Sequence, residues 1–410
     1  MTREPSGWIV LVATTLVQSL VAMALLTLPV IAPVVALAMG VSPAYVGMYV
    51  AIVYAGAMLA SLVAGGAVRR YGAIRLSQLG LVMCAIGLLL CTLPYVPTMV
   101  LGAALIGFGY GPITPASSHL LIRNTPAHRM SLVFSIKQTG VPLGGMLAGA
   151  IVPGLQVLIG WQWAFAAVAL ASLACAAAVQ PLCRSLDSDR DPAHPVSFGR
   201  GFWGPIRLVL SRRSLAVLAA CSFLLSIIQL SLTTYVVTFL HEDLLINLVT
   251  AGFILAVSQL AGVTGRLVWG YISDRFLGAP RMLAVLAALV ALSGLATAFM
   301  VPGTSTVLLL IVLSVFGASA IGWNGVYLAE VARQAPPGQT SVATGGALAF
   351  TFLGVVVGPP IFGAIASAAG SYGLAYAALI VPAALCFALT LGFQKAFVPV
   401  PASPSGAAGE

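Results

Sequence analysis

Gly265-Arg266-Leu267-Val268-Trp269-Gly270-Tyr271-Ile272-Ser273-Asp274-Arg275 closes a long apolar run and carries a cation, Arg266, eight residues before Asp274. An arginine at that depth in hydrocarbon is costly, so such a residue faces a cavity, a partner or a substrate. One other internal residue is of this kind, Lys137. If the stretch ends a membrane-spanning helix, the rest of the chain must be built for the same solvent.

The composition meets that requirement. The 410 residues are 60% hydrophobic and 7% charged, with a mean hydropathy of +1.08. A soluble domain carries roughly 25% charged residues, and no soluble fold of this length could hide so much apolar surface. The first apolar run, from Trp8 to Met39, is too long for the core of a cleaved signal, and no small-residue cleavage pattern follows it. It reads as a retained spanning helix.

Runs of about 20 apolar residues mark spans, and twelve are predicted: 7–38, 43–69, 73–95, 97–122, 128–158, 161–182, 214–240, 246–273, 279–301, 304–331, 340–368 and 371–397. Pro or Gly punctuates many breaks, as at Ser42-Pro43, Thr125-Pro126, Ala279-Pro280 and Pro302-Gly303. The fold class expected is all-α integral membrane, with twelve transmembrane helices in two pseudo-symmetric six-helix bundles. The organisation expected is a bundle over 1–184, a cytoplasmic linker over 185–213, a second bundle over 214–398 and a disordered tail over 399–410.

The charges test this map. Of 18 Lys and Arg, Lys137 and Arg266 lie inside helices and the other 16 fall on one side; the opposite loops hold Glu242 and Asp243. This positive-inside pattern places both termini in the cytoplasm and the chain, multi-pass, in the inner (plasma) membrane. The net charge of +9 then answers to anionic lipid and topology, not to nucleic acid. Asp187-Ser188-Asp189-Arg190-Asp191-Pro192 reads as a flexible linker, and Phe202-Trp203-Gly204-Pro205-Ile206-Arg207 suits the membrane interface. The six cysteines form no C-x-x-C pair and read as small buried hydrophobes. There is no Walker-type phosphate loop, so ATP is not expected to drive the protein. No metal, cofactor or enzymatic activity is expected either.

The halves echo one another at an offset of about 205–210 residues. Gly65-Gly-Ala-Val-Arg69-Arg70-Tyr-Gly72 follows span 2, and Gly270-Tyr-Ile-Ser-Asp274-Arg275-Phe-Leu-Gly278 follows span 8. Arg123-Asn-Thr-Pro126 after span 4 matches Arg333-Gln-Ala-Pro336 after span 10. Parallel six-helix halves with a site between them at mid-membrane are a transporter design. Over essentially its whole length the sequence resembles the major facilitator superfamily. That family's loop signature reads G-x-L-A-D-R-x-G-R-K. Gly270 through Gly278 keeps its Gly, its Asp-Arg and, one residue late, its second Gly. The first-half copy keeps Gly65, Arg70 and Gly72 but has Arg69 where the family has Asp. The resemblance implies a cytoplasmic charge gate of Asp274, Arg275, Glu330 and Arg333, with Arg70 and Arg123 in the first half. No acid stands beside Arg123 in its own helix.

Lys137 lies eight residues past Arg129, and Arg266 eight before Asp274. At 1.5 Å per residue each is about 12 Å from its cytoplasmic marker, just short of the midplane of a core of about 30 Å. The resemblance places helices 5 and 8 as neighbours across a cavity, where two cations at one depth make a pocket for negative charge. All nine acids lie outside mid-membrane, so no internal carboxylate stands ready to neutralise either cation. Other mid-depth polar residues are Gln18, Tyr54, Tyr110, Gln138, Gln229, Gln259 and Asn324. Gln259 precedes Arg266 by seven, which puts both on one helix face. Their plainer role is hydrogen bonding between helices. His119 is the one histidine positioned to face the cavity, and so the candidate for a proton relay. The glycines and prolines of Gly140-Val-Pro142-Leu-Gly144-Gly145 and Gly354 to Gly363 read as packing and hinge elements.

The function expected is secondary transport of a small anion by alternating access, coupled to protons as symport or running as anion exchange. G-R-x-x-x-G-x-x-S-D-R is similar to the helix-8 sequence of the family's monocarboxylate and oxalate/formate branches, and nitrate and cyanate carriers are similar in using buried cations. The resemblance also implies a monomer. A multidrug or lipophilic-compound exporter is the alternative, favoured by the Gly-Pro motifs and disfavoured by the lack of an internal acid. A membrane sensor or lipid-handling protein is a third reading.

Overall fold

The computed structural model describes residues 7–126, 129–196, 203–336 and 339–392. Arg3, Glu4, His128, Phe202, Lys395, Glu410 and the 399–410 tail lie outside the described residues. Among the described residues there is no strand, and twelve helical segments are long and apolar enough to cross a membrane. They are α1 (Gly7–Met39), α2 (Pro43–Tyr71), α3 (Ala73–Leu90), α4 (Val96–Asn124), α5 (Val133–Ile159) and α6 (Trp161–Leu186), then α7 (Arg213–Glu242), α8 (Leu248–Leu277), α9 (Ala279–Ala298), α10 (Thr306–Gln334), α11 (Val342–Ala369) and α12 (Tyr372–Gly392). A short helix, Trp203–Ser211, precedes α7.

Every predicted span is found, with ends shifted by a few residues. The shift at α7 has a clear cause. Its 30 residues make a rod of about 45 Å, long enough to carry Arg213 and Glu242 through both head-group layers. Proline breaks several helices. In α1, Pro29–Ile31 forms one 3-10 turn before the helix resumes with Pro33 at its second position, because proline has no N–H to donate and crowds the preceding turn.

The packing repeats with a six-helix offset. Helix pairs α1·α5, α2·α4 and α3·α6 in the first half recur as α7·α11, α8·α10 and α9·α12 in the second. The halves meet through α5·α8 and α2·α11, two pairs related by the same offset. Backbone geometry repeats too. Gly72 and Gly278 both have positive φ with extended ψ, at the start of α3 and α9, a region open essentially only to glycine. Gly160 and Gly370 both precede the last helix of their half with positive φ, Gly160 with extended ψ and Gly370 in the left-handed helical region, and Gly40 is matched by Leu245, which is the one described non-glycine residue at positive φ. Leu245 is 77% exposed, so nothing is packed over its side chain there.

The connections that carry Arg70, Arg75, Arg129, Arg281 and the long linker all lie at one end of the bundles, hereafter the basic face. Glu242 and Asp243 lie at the other end, the acidic face. Asp243 Oδ2 accepts from the Tyr372 N–H at 2.8 Å and the Gly373 N–H at 3.2 Å, so it caps the N-terminus of α12, where a negative charge is favourable. Toward this face the halves are stitched by Tyr235 of α7. Its hydroxyl donates to the Ala44 carbonyl at 2.6 Å and accepts from the Gly47 N–H at 3.0 Å. Its ring stacks on Phe362 with centroids 4.7 Å apart.

Candidate functional site

At mid-depth in the first half, the Lys137 side chain is only 1% exposed. Its Nζ donates to Gln18 Oε1 at 3.1 Å and to Thr114 Oγ1 at 3.4 Å. Thr114 also donates to Gln18 Oε1 at 3.3 Å, so α1, α4 and α5 converge on one amide oxygen. Gln18 is fully buried, and its Nε2 has no protein partner among the described residues. A buried donor without a partner costs about 1–3 kcal/mol, so this N–H marks a place where an acceptor is wanted. Tyr110, four residues before Thr114 and on the same face of α4, meets Tyr54 edge to face at 5.8 Å. Tyr54 in turn lies 6.5 Å from Phe352 of α11.

Arg266 bridges the halves. Its Nη1 donates to the Gln138 carbonyl at 2.7 Å and its Nε to the Ile321 carbonyl at 3.2 Å. The first acceptor is free for a local reason. Four residues beyond Gln138 stands Pro142, which has no N–H to close the helical bond onto that carbonyl. The guanidinium fills the gap left by the proline. Two of its five N–H donors are thereby used, and its side chain is only half-buried.

In the second half, Gln229 Oε1 accepts from Trp323 Nε1 at 3.0 Å and from Asn324 Nδ2 at 3.1 Å. Trp323 and Asn324 lie just past Ile321 on α10, so this cluster adjoins Arg266. The structure therefore gathers Lys137, Gln18, Tyr110 and Tyr54 in the first half, and Arg266, Gln229 and Asn324 in the second. Two residues take other roles than expected. Gln138 enters through its main-chain carbonyl, not its amide. Gln259 packs its amide against Gly145, so it helps to hold α8 against α5. Thr114 and Trp323 escaped the sequence reading. Thr114 could have been found from its place one turn past Tyr110; nothing local marks the Trp323 N–H.

The whole arrangement is two basic side chains at one depth, bonded among the described residues to neutral oxygens. A family model described as Major Facilitator Superfamily matches residues 14–345. The chain belongs to the Major Facilitator Superfamily. Solved transporters share its fold. A bacterial homologue of the human lysosomal transporter Spinster, in an inward-facing and occupied conformation, superposes with a TM-score of 0.78 at 16% identity, covering 97% of this chain and 100% of that one. The nucleoside transporter NupG superposes at 0.73 with 14% identity, covering 95% and 100%. In sequence, the Multidrug resistance protein B homolog of Mycobacterium tuberculosis is 33% identical over 132 residues, 31% of this chain and 24% of that protein. The chain thus matches about a quarter of the length of that relative.

In the second half, residues of the loop signature and of α10 form a salt-bridge cluster. Arg333 pairs with Asp274 at 2.7 Å and with Glu330 at 3.3 Å. Arg275, in the π turn Ser273–Leu277, is exposed and has no salt bridge among the described residues. Arg70 is likewise exposed and lies over the Tyr71 ring at 5.6 Å.

In the first half the linker provides the acid that α4 lacks. Asp189 pairs with Arg123 at 2.6 Å and with His119 at 2.7 Å. Two residues earlier, Asp187 accepts from the N–H groups of Ile74 at 2.8 Å and Arg75 at 3.0 Å, capping α3. Asp187 is 4% exposed, and this burial raises its carboxyl above the usual value despite the two N–H donors. The segment expected to be a flexible linker is thus pinned to the first bundle at two points, and His119 is committed to Asp189. Burial alone would raise the Asp189 carboxyl, but the His119 bond and the Arg123 charge outweigh it and hold it low. The contribution of Asp189 is then complete above about pH 4 and is lost as pH falls through its lowered value. Asp189→Asn is expected to lower stability by about 0.5–1 kcal/mol at pH 7, a solvent-screened pair, and by less at pH 3. Thermal unfolding of both proteins checks this, and a pH-independent difference would contradict the pairing.

Proposed function

We propose that the protein is a secondary active transporter of a small anion, a mono- or dicarboxylate, working by alternating access with proton symport or anion exchange. The observation that carries this reading is the pair of mid-depth basic side chains, Lys137 and Arg266, whose acceptors among the described residues are all neutral. Uncompensated charge in the membrane is costly, and an anion between the two bundles would offset it. The partnerless Gln18 Nε2 supplies a further donor. The positive-inside pattern supports a cytoplasmic basic face. With the halves joined at mid-depth and toward the acidic face, the site would then open inward.

The reading of a multidrug or lipophilic-compound exporter is favoured by one observation, the partial match to a multidrug resistance protein homologue. Thermal unfolding of the detergent-purified protein separates the two. The panel is formate, acetate, lactate, oxalate and nitrate against tetraphenylphosphonium. A ligand at 100 times its Kd stabilises by about 2.7 kcal/mol. A raised midpoint with a carboxylate supports the anion reading; a response to the lipophilic cation alone would replace it with the exporter reading.

A further inference from the structure

We propose that Lys137 is the proton carrier: it takes up a proton as the anion binds and returns it to water as the anion leaves. The proposal rests on the anion reading for its coupling, but not for the proton exchange itself. Four features of the site lead to it. Lys137 is sealed from solvent at 1% exposure. Its two acceptors, Gln18 Oε1 and Thr114 Oγ1, are neutral and serve an amine and an ammonium alike. No carboxylate lies at its depth among the described residues: Asp274 and Glu330 sit at the basic face with Arg333. The other internal cation, Arg266, is a guanidinium, which does not give up its proton in proteins.

The groups around Lys137 leave it the role alone. From α1 it meets Gln18, from α4 Thr114 with Tyr110 beyond, and through α2 Tyr54 behind Tyr110. From α8, the Arg266 guanidinium is bonded to the carbonyl of the next residue, Gln138. Of the two internal basic groups, only Lys137 has a neutral form to adopt. His119 is engaged with Asp189 at the basic face.

The step balances. Loading forms one N–H bond at the Lys137 amine, with the proton taken from water, and places one anion beside the ammonium. Release breaks that bond and returns the proton to water on the other side. Each cycle moves one proton with one anion, electroneutral for a monovalent anion and one net negative charge for a divalent one. The linkage is reciprocal: whatever the anion gains from the ammonium, the proton gains from the anion.

The test needs no knowledge of the substrate. Thermal unfolding midpoints of the ligand-free protein are measured from pH 6 to 9 for wild type, Lys137→Met and Lys137→Arg. Where the buried amine is neutral, the unfolded chain binds one proton more than the folded one, so stability rises with pH. Wild type is expected to gain on both variants as pH rises, and Lys137→Arg, charged throughout, keeps the comparison available if Lys137→Met fails to fold. A constant difference across that range would overturn the proposal. In parallel, acetate and oxalate are added at pH 6 and 8. Stabilisation that weakens from pH 6 to pH 8 in wild type, approaching tenfold in apparent affinity per pH unit once the amine is neutral, and that does not weaken in Lys137→Arg, is expected. No response to any anion at either pH, with the ligand-free pH effect present, would remove the anion reading and leave Lys137 as the proton site.

Discussion

Arg266→Ala is expected to abolish carboxylate transport and carboxylate-induced stabilisation while the protein still folds and inserts. The loss should be large because the guanidinium does two things at once. It holds α5 to α10 through the Gln138 and Ile321 carbonyls, and it has further N–H donors beyond those two bonds. Truncating one partner of a desolvated charged contact costs about 2–5 kcal/mol, roughly 30-fold to several thousand-fold in affinity. Arg266→Lys is expected to recover little, since one ammonium cannot reach both carbonyls and still present a planar fork to a carboxylate. Uptake into liposomes and ligand-induced shifts in melting check both variants. Unchanged carboxylate uptake in Arg266→Ala would sink the anion reading, whereas export of neutral lipophilic compounds should survive the change.

Gly252→Leu is expected to stop turnover while the anion still binds. Here α5 and α8 meet backbone to backbone. A Cβ placed on Gly149 would lie 2.6 Å from the Gly252 carbonyl oxygen, and one on Gly252 would lie 2.6 Å from the Pro153 ring. Small residues are what allow such an approach. This contact lies toward the acidic face, where Tyr235 also joins the halves. Overpacking costs about 1–3 kcal/mol. Because α5 and α8 belong to different bundles, the strain falls on the closed state rather than on either bundle. A penalty of 3 kcal/mol shifts that equilibrium more than 100-fold. Gly154→Leu is the control, since nothing lies within 4 Å of its Cβ position. Turnover retained in Gly252→Leu, or lost equally in Gly154→Leu, would show that this contact is not part of the cycle.

The second-half salt-bridge cluster was legible because its parts stand in a motif: Asp274 in the loop, Glu330 and Arg333 three residues apart on α10. Its first-half counterpart was not. Asp189 is 66 residues from Arg123, in a segment whose composition reads as mobile chain. Nothing about an acidic stretch says which arginine it will reach. Arg275 and Arg70 show the converse: a motif names residues, but the local turn decides whether they reach the cluster.

What the sequence determined by itself are properties set residue by residue by the solvent. The twelve spans follow from the length of apolar runs that a bilayer demands. The distribution of charge follows from the cost of placing ions in hydrocarbon, which also made Lys137 and Arg266 stand out without any neighbour being known. Tertiary structure alone decided who meets whom. Gln18 joins Thr114 to Lys137, Trp323 and Asn324 share Gln229, Arg266 fills the carbonyl that Pro142 leaves open, and Gly149 touches Gly252. Each of these depends on the distance between atoms far apart in the chain, and that distance is fixed by how two six-helix bundles pack, not by the pattern of any one helix.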